Sequence, residues 1–182
     1  MDNKYQYRLT EVQKKQIAQN LIDVFEKDAT IIAQTRRFIG DWILTGSNEK
    51  RKAFFDVWEI VLKNFLPKTR PILFRSCDRI SKNGKIVSFT GRIECARRFS
   101  NNKGFLIICD TKETLSFEDT LYNQGDYRHT FYPLAEVLIR AKEAGGWGFS
   151  ERLLNNYIGE DEYIMKINLD HMHITKWIKT CE

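Results

Sequence analysis

Glu160, Asp161 and Glu162 stand in a row after Gly159. If this stretch opens a strand, residues two apart point to the same side, so Glu160 and Glu162 face one site while Asp161 turns away. Two carboxylates on one side can divide labour, one stabilising positive charge and the other handling a proton. The same three residues would also make an ordinary solvated acidic turn. Arg75 ends the short apolar run Ile72-Leu73-Phe74. A cation there is either paired with a core carboxylate or faces a ligand phosphate or carboxylate. Ser88 and Thr90 are two apart in the alternating stretch Lys85 to Thr90, so their hydroxyls share a face, toward a site or simply on the polar side of a strand. His171 and His173 repeat that spacing, but a metal needs a third ligand and the sequence supplies none that can be placed, so no metal is expected.

The elements that must position these residues fall into two parts, residues 1–70 and 71–182. Residues 10–66 read as three helices. Leu9, Val12, Ile17, Leu21, Val24 and Phe25 make one apolar stripe, and Thr10 with Gln13 fits a capping box. Ile31, Ile32, Thr35, Phe38, Ile39, Trp42 and Ile43 make a second stripe. Gly46 and Ser47 then act as a stop and a new N-cap. Phe54, Trp58, Val61 and Phe65 make the third. The aromatic residues of this unit read as core. Pro67 and Pro71 bracket a basic linker, after which the texture becomes strand-rich.

Strands are predicted at 72–75, 85–90, 105–109, 163–167 and 171–174, with turns at 81–84 and 101–104. A short helix is expected over 93–99 and another from Tyr132 to Ala144, starting near Pro133. Residues 110–131 read as a long irregular loop, and Gly145 to Phe149 as a flexible aromatic loop. The whole is an α+β arrangement.

The 182 residues (21.5 kDa) are enough to bury a core without disulfides or a structural metal. Charged residues at 29% and apolar residues at 42% exclude a disordered or low-complexity chain. No apolar run is long enough to span a bilayer, and the polar start after Met1-Asp2-Asn3-Lys4 has no signal-peptide character, so a cytoplasmic protein is expected. Cys77, Cys95, Cys109 and Cys181 lack CxxC spacing and read as reduced thiols. The net charge of +5 is uneven. Residues 72–109 carry eight Lys/Arg against two Asp/Glu, whereas residues 110–182 carry eight against thirteen. A cationic region facing an anionic ligand, with carboxylates supplied from the C-terminal part, accounts for that asymmetry.

The order of these features carries more information than any one of them. An Arg ends one strand, a Ser-x-Thr strand follows, then a helix with Ala96-x-x-Phe99, and near the C-terminus Tyr157-Ile158-Gly159-Glu160-Asp161-Glu162. Over residues 70–178 this resembles the mono-ADP-ribosyltransferases of the Arg–Ser–Glu type, above all the Mod enzymes of T-even phages and small bacterial ADP-ribosylating toxins. Two departures stand out. Ser76 follows the Arg where the family has Gly. The family's Ser-Thr-Ser triplet is not intact, so its first hydroxyl falls on Thr90 or, with the register moved by two, on Ser88.

The resemblance implies a split β-sandwich with flanking helices that binds NAD+ as a substrate. It implies that Glu162 stabilises the oxocarbenium-like ribose, that Glu160 orients and deprotonates the acceptor, and that Arg75 holds an NAD phosphate. Ser88 or Thr90 would position Glu162, and Phe89 or Phe99 would pack near the nicotinamide. Tyr157, with Trp147 and Phe149, would contact the acceptor, unless the last two simply bury themselves in their own loop. Arg92, Arg97 and Arg98 would suit the NAD diphosphate. The implied activity is transfer of ADP-ribose to a macromolecule, in the first place a protein arginine, with RNA or DNA bases as the alternative. Its implied setting is phage–bacterium conflict, as a phage effector or bacterial toxin, with an inhibitor or antitoxin protein as a further partner and no membrane. The alternative from another class is a non-enzymatic basic protein that binds nucleic acid, for which residues 68–103 are the support and the lack of a recognised motif the objection.

Overall fold

Thr10 accepts a hydrogen bond from the Gln13 amide at 3.2 Å, and the Gln13 side chain takes the Thr10 amide at 2.9 Å. This is the capping box expected from the sequence, and it starts α1 (Glu11–Glu26). The computed structural model describes residues 7–46, 50, 52–119 and 130–177. The expected N-cap at Ser47, the polar start Met1 to Lys4, Cys181 and the part of the 110–131 loop from 120 to 129 lie outside the described residues.

Two compact units emerge, Met1–Asn64 and Phe65–Glu182. The first consists of α1, α2 (Ala33–Leu44) and α3 (Lys52–Asn64). Its stripes meet in an aromatic core. Trp58 packs edge-on to Phe38 at 5.4 Å and to Trp42 at 5.6 Å, and all three are essentially inaccessible. Each such buried side chain contributes on the order of 1.5–3 kcal/mol. Val12, placed in the α1 stripe by spacing, is instead 63% exposed.

The second unit begins at Phe65, ahead of the 70/71 boundary suggested by the prolines. Phe65 packs against Tyr132 at 5.2 Å, and the Pro71 carbonyl accepts from the Thr111 hydroxyl at 2.5 Å, so the linker residues belong here. In chain order the elements are β1 (Ile72–Cys77), β2 (Ile86–Thr90), α4 (Ile93–Ser100), β3 (Phe105–Asp110) and α5 (Thr111–Asp119). They continue with β4 (Phe131–Pro133), α6 (Leu134–Glu143), α7 (Glu151–Glu160), β5 (Glu162–Lys166) and β6 (His173–Lys176). The fold is thus α+β, with seven α-helices among the described residues and a six-stranded antiparallel sheet in the order β4-β5-β2-β1-β3-β6.

The sheet is not uniform. β1 pairs with β3 over six residues and β2 with β5 over five, but β1 and β2 share the single pair Phe74↔Thr90. The sheet therefore consists of two three-stranded halves joined at one point. Leu73, Val87, Phe89, Ile107, Cys109 and Met165 form the core on one side, capped by Leu115 from α5.

Several segments differ from the sequence expectation. Phe131–Pro133, expected as the end of a loop and the start of a helix, is strand β4 and pairs with β5, so α6 starts only at Leu134. Residues 111–119 are helix rather than loop, because the Asp110 carboxylate accepts the Lys112 and Glu113 amides as an N-cap. Residues 151–160 form α7, capped by Ser150, whose hydroxyl accepts the Leu153 amide at 3.2 Å. His171 belongs to a 3₁₀ turn and only His173 lies on β6, so the two histidines do not share a strand face.

Candidate active site

The three residues singled out by type and spacing come together around Ser88. Its backbone carbonyl accepts a hydrogen bond from Arg75 Nη1 at 2.8 Å, and its hydroxyl donates to Glu162 Oε1 at 2.5 Å. The open ladder between β1 and β2 makes the first contact possible. A closed ladder would offer Ser88's carbonyl a backbone N–H, whereas here it meets a guanidinium. The second contact runs diagonally across the β2–β5 ladder, in which Thr90 lies directly opposite Glu162 and Ser88 opposite Ile164.

Arg75 alternates with Leu73 and Cys77, both of which pack in or against the core. Burial works against its charge. No carboxylate pairs with it among the described residues, and its Nε is buried with no hydrogen-bond partner. A buried guanidinium without a counterion is costly, and an anion would relieve that cost. The forked donor set of an arginine suits a phosphate. The residues present therefore fit the phosphate-binding role.

Glu160 and Glu162 are not on one strand, as the sequence suggested. Glu160 is the last residue of α7, Asp161 turns the chain with left-handed dihedrals (φ 49°, ψ 58°), and Glu162 opens β5. The turn still leaves the two carboxylates close enough to interact. Burial first, and then the Glu162 charge, hold the Glu160 pKa above the ordinary carboxylate value, while Arg98 opposes the shift. Arg98 Nη2 lies 3.9 Å from Glu160 Oε1. Tyr157, one turn earlier on α7, is half-buried. Its pKa is raised by burial, by Glu160 and by Glu162, which puts its phenol within electrostatic reach of both carboxylates.

The turn is held from the end of β2 and the start of α4. The Thr90 hydroxyl donates to the Glu160 carbonyl at 2.6 Å and accepts the Arg92 amide at 3.1 Å. The Gly91 amide donates to the Asp161 carbonyl at 3.0 Å, and Arg92 Nη1 to the Gly159 carbonyl at 3.0 Å. These contacts satisfy carbonyls that the end of a helix leaves without partners. Gly91 has a steric reason as well, since a Cβ there would come within 2.0 Å of the Asp161 carboxylate. The Tyr163 hydroxyl donates a hydrogen bond to that carboxylate. Burial and the Asp161 charge push its own pKa up to about 12.

Of the two hydroxyls left open by the sequence, Ser88 is thus the one that touches Glu162, while Thr90 is buried and engaged with the backbone of the turn. Phe89 points away from Ser88 into the core at 2% exposure, so it does not join the group, and Phe99 is 57% exposed on α4. Trp147 and Phe149 lie in and just after the 3₁₀ turn before α7. A ten-residue helix, about 15 Å long, separates their backbone from Glu160, so the structure does not bring them to the carboxylates.

Ser76, the departure from the family's Gly, donates to the Ala96 carbonyl of α4 at 2.5 Å and accepts from Trp177 Nε1 at 3.0 Å. Sequence reasoning assigned Arg98 to the NAD diphosphate and missed its place beside Glu160. The four-residue spacing of Glu94 and Arg98 on α4 contained no sign of it, because the contact spans separate elements.

Comparison with protein-family models, with curated proteins and with solved structures finds no match to this chain. Among the described residues no helix is long and apolar enough to cross a membrane, and no group of three or more His, Cys, Asp or Glu is placed to hold a metal ion.

Proposed function

We propose that this chain is an NAD-dependent mono-ADP-ribosyltransferase whose core has the family's split-sheet architecture. The observation that carries the reading is the convergence on Ser88 of a carboxylate and of an Arg that has no carboxylate partner among the described residues. That is the set needed to hold a dinucleotide phosphate and to stabilise a cationic ribose a few ångströms away. The near-break of the sheet between β1 and β2, where Arg75 sits, supports the architecture.

In the reaction the C1′–N bond between ribose and nicotinamide breaks, and its electron pair leaves with the ring, which becomes neutral. Glu162 faces the positive charge that develops on the ribose, as carboxylates do in glycoside cleavage. The Ser88 hydroxyl fixes the rotamer of that carboxylate. Arg75 holds the phosphates. An acceptor nitrogen or oxygen then bonds to C1′, and Glu160 takes the proton that the acceptor sheds. A raised pKa makes Glu160 a better base than an ordinary surface carboxylate. The acceptor is a macromolecule and the setting is conflict between phage and bacterium.

Nicotinamide release and label transfer from NAD+ to a cell lysate test the reading directly. Glu162→Gln is expected to abolish both. Glu160→Gln is expected to lose transfer and keep part of the hydrolysis. Full transfer by the Glu162 variant would sink the assignment, and salt-sensitive DNA binding with no NAD+ consumption would establish the non-enzymatic alternative.

A further inference from the structure

Beside Glu160, the last turn of α4 presents an exposed cationic and aromatic surface. Arg97, Arg98 and Phe99 are consecutive, and all are exposed, Phe99 at 57%. The Arg98 guanidinium lies 5.2 Å from the centroid of the Phe99 ring, and that of Arg97 lies 5.8 Å from the centroid of Trp177. The Trp177 ring is fixed by its hydrogen bond to Ser76. Lys103 is exposed just after the helix, and Glu94 in its first turn is the one acidic residue of α4. The face borders the carboxylate that would activate the acceptor, because Arg98 is 3.9 Å from Glu160.

We propose that this face binds the acceptor and that the acceptor is a single-stranded nucleic acid. The inference rests on the transferase reading and specifies its substrate class. Guanidinium groups interleaved with open aromatic rings are what single strands require, with the cations on phosphates and the rings under base faces. A protein arginine is disfavoured by the same observation, since its cation would have to reach Glu160 past the Arg98 guanidinium. The NAD diphosphate has a separate partner in Arg75, whose guanidinium is hydrogen-bonded to the Ser88 carbonyl. The transferred group moves as described above. The attacking atom becomes an amine nitrogen or hydroxyl oxygen of a nucleotide, and its proton passes to Glu160 and then to water.

The test uses the full chain, NAD+ labelled in its adenylate, and three acceptors: a single-stranded RNA, a DNA of the same sequence and an arginine-rich peptide. Nicotinamide release is followed in every arm. Label is expected in a nucleic acid, with transfer falling steeply as salt rises. The Arg97→Ala/Arg98→Ala double variant is expected to lose transfer at least about tenfold more than it loses nicotinamide release, with a shallower salt dependence. The double Lys variant should recover much of the transfer, which a loss of folding would not allow. Label in the peptide in preference to both nucleic acids would overturn the acceptor class. A parallel rise in KM for NAD+ in hydrolysis and transfer would assign α4 to the dinucleotide and overturn the proposal too. Absence of nicotinamide release in every arm would instead refute the transferase reading itself.

Discussion

Replacing Ser88 by Ala removes one hydrogen bond and leaves the rest of the centre in place. The lost bond is the donation from its hydroxyl to Glu162 at 2.5 Å. The contact that holds Arg75 goes to the backbone carbonyl of Ser88 and survives the substitution. A hydrogen bond to a charged group is worth about 1.5–3 kcal/mol. If that restraint acts on Glu162 as the ribose becomes cationic, its loss lowers kcat for nicotinamide release by roughly ten- to 150-fold, at about 1.36 kcal/mol per decade. KM for NAD+ should change little, because Arg75, the proposed phosphate partner, is untouched. Ser88→Thr keeps a hydroxyl on a strand position that tolerates β-branching, and should restore most of the rate.

Thr90→Val provides the contrast. It deletes the donor to the Glu160 carbonyl and the acceptor of the Arg92 amide at a buried position, so it should cost about 1–3 kcal/mol of stability. The assay is continuous nicotinamide release, with urea unfolding run alongside. A folded Ser88→Ala variant that keeps its rate within about twofold would refute the idea that this hydroxyl positions the catalytic carboxylate.

Three further outcomes follow from the geometry. Gly91→Ala brings a methyl group within 2.0 Å of the Asp161 carboxylate, so that half-buried side chain must swing out of its place beside Tyr163. A stability loss of about 1–3 kcal/mol, with a fall in transfer, is expected by urea titration and label transfer. Trp58→Ala empties the centre of the first unit's aromatic core and should lower stability by about 3–5 kcal/mol, read from chemical unfolding. The third concerns pH. The Glu160 pKa lies above its unfolded value near 4.5, so the folded chain holds this proton more tightly than the unfolded chain does. Its contribution to stability is therefore full below 4.5 and is lost as pH rises through the folded value. Glu160→Gln removes that loss, so its urea midpoint relative to the unmodified chain should rise between about pH 4 and about pH 7. A difference that stays flat across that range would contradict the environment described for Glu160.

Much of the framework could be read from residue patterns, and the failures have local causes. The capping box at Thr10, the three helical stripes and the strands carrying Arg75 and Ser88 all follow from short-range rules of spacing and hydrogen bonding. The helix at 111–119 was hidden because its polar composition resembles a loop, although Asp110 followed three residues later by Glu113 has the form of a helix start. α7 was hidden for a different reason. Attention to Glu160 and Glu162 as strand neighbours used a period of two, whereas Ser150 and the buried Leu154 follow helical rules up to Glu160. The choice between Ser88 and Thr90 could not be made from spacing, because both lie on the same face. The pairing of Thr90 with Glu162 and the diagonal reach of Ser88 decide it, and pairing register is a long-range property.

The weak seam between β1 and β2 links fold to chemistry. A buried arginine in a fully paired sheet would need a carboxylate beside it, and that carboxylate would compete with any phosphate ligand. Here the seam supplies a backbone carbonyl instead, which accepts one N–H and adds no negative charge to compete with a ligand. The same residue, Ser88, sends its hydroxyl to the Glu162 carboxylate across the intact β2–β5 ladder. The cation and the carboxylate are thereby kept apart by one residue rather than neutralising each other as an ion pair. Closing the seam would give Ser88's carbonyl a backbone partner and release Arg75 to seek an anion elsewhere. On this argument the single-pair junction Phe74↔Thr90 leaves the Arg75 guanidinium without a carboxylate partner among the described residues and linked through Ser88 to Glu162, the arrangement that the proposed binding of an anionic dinucleotide and stabilisation of a cationic ribose would require.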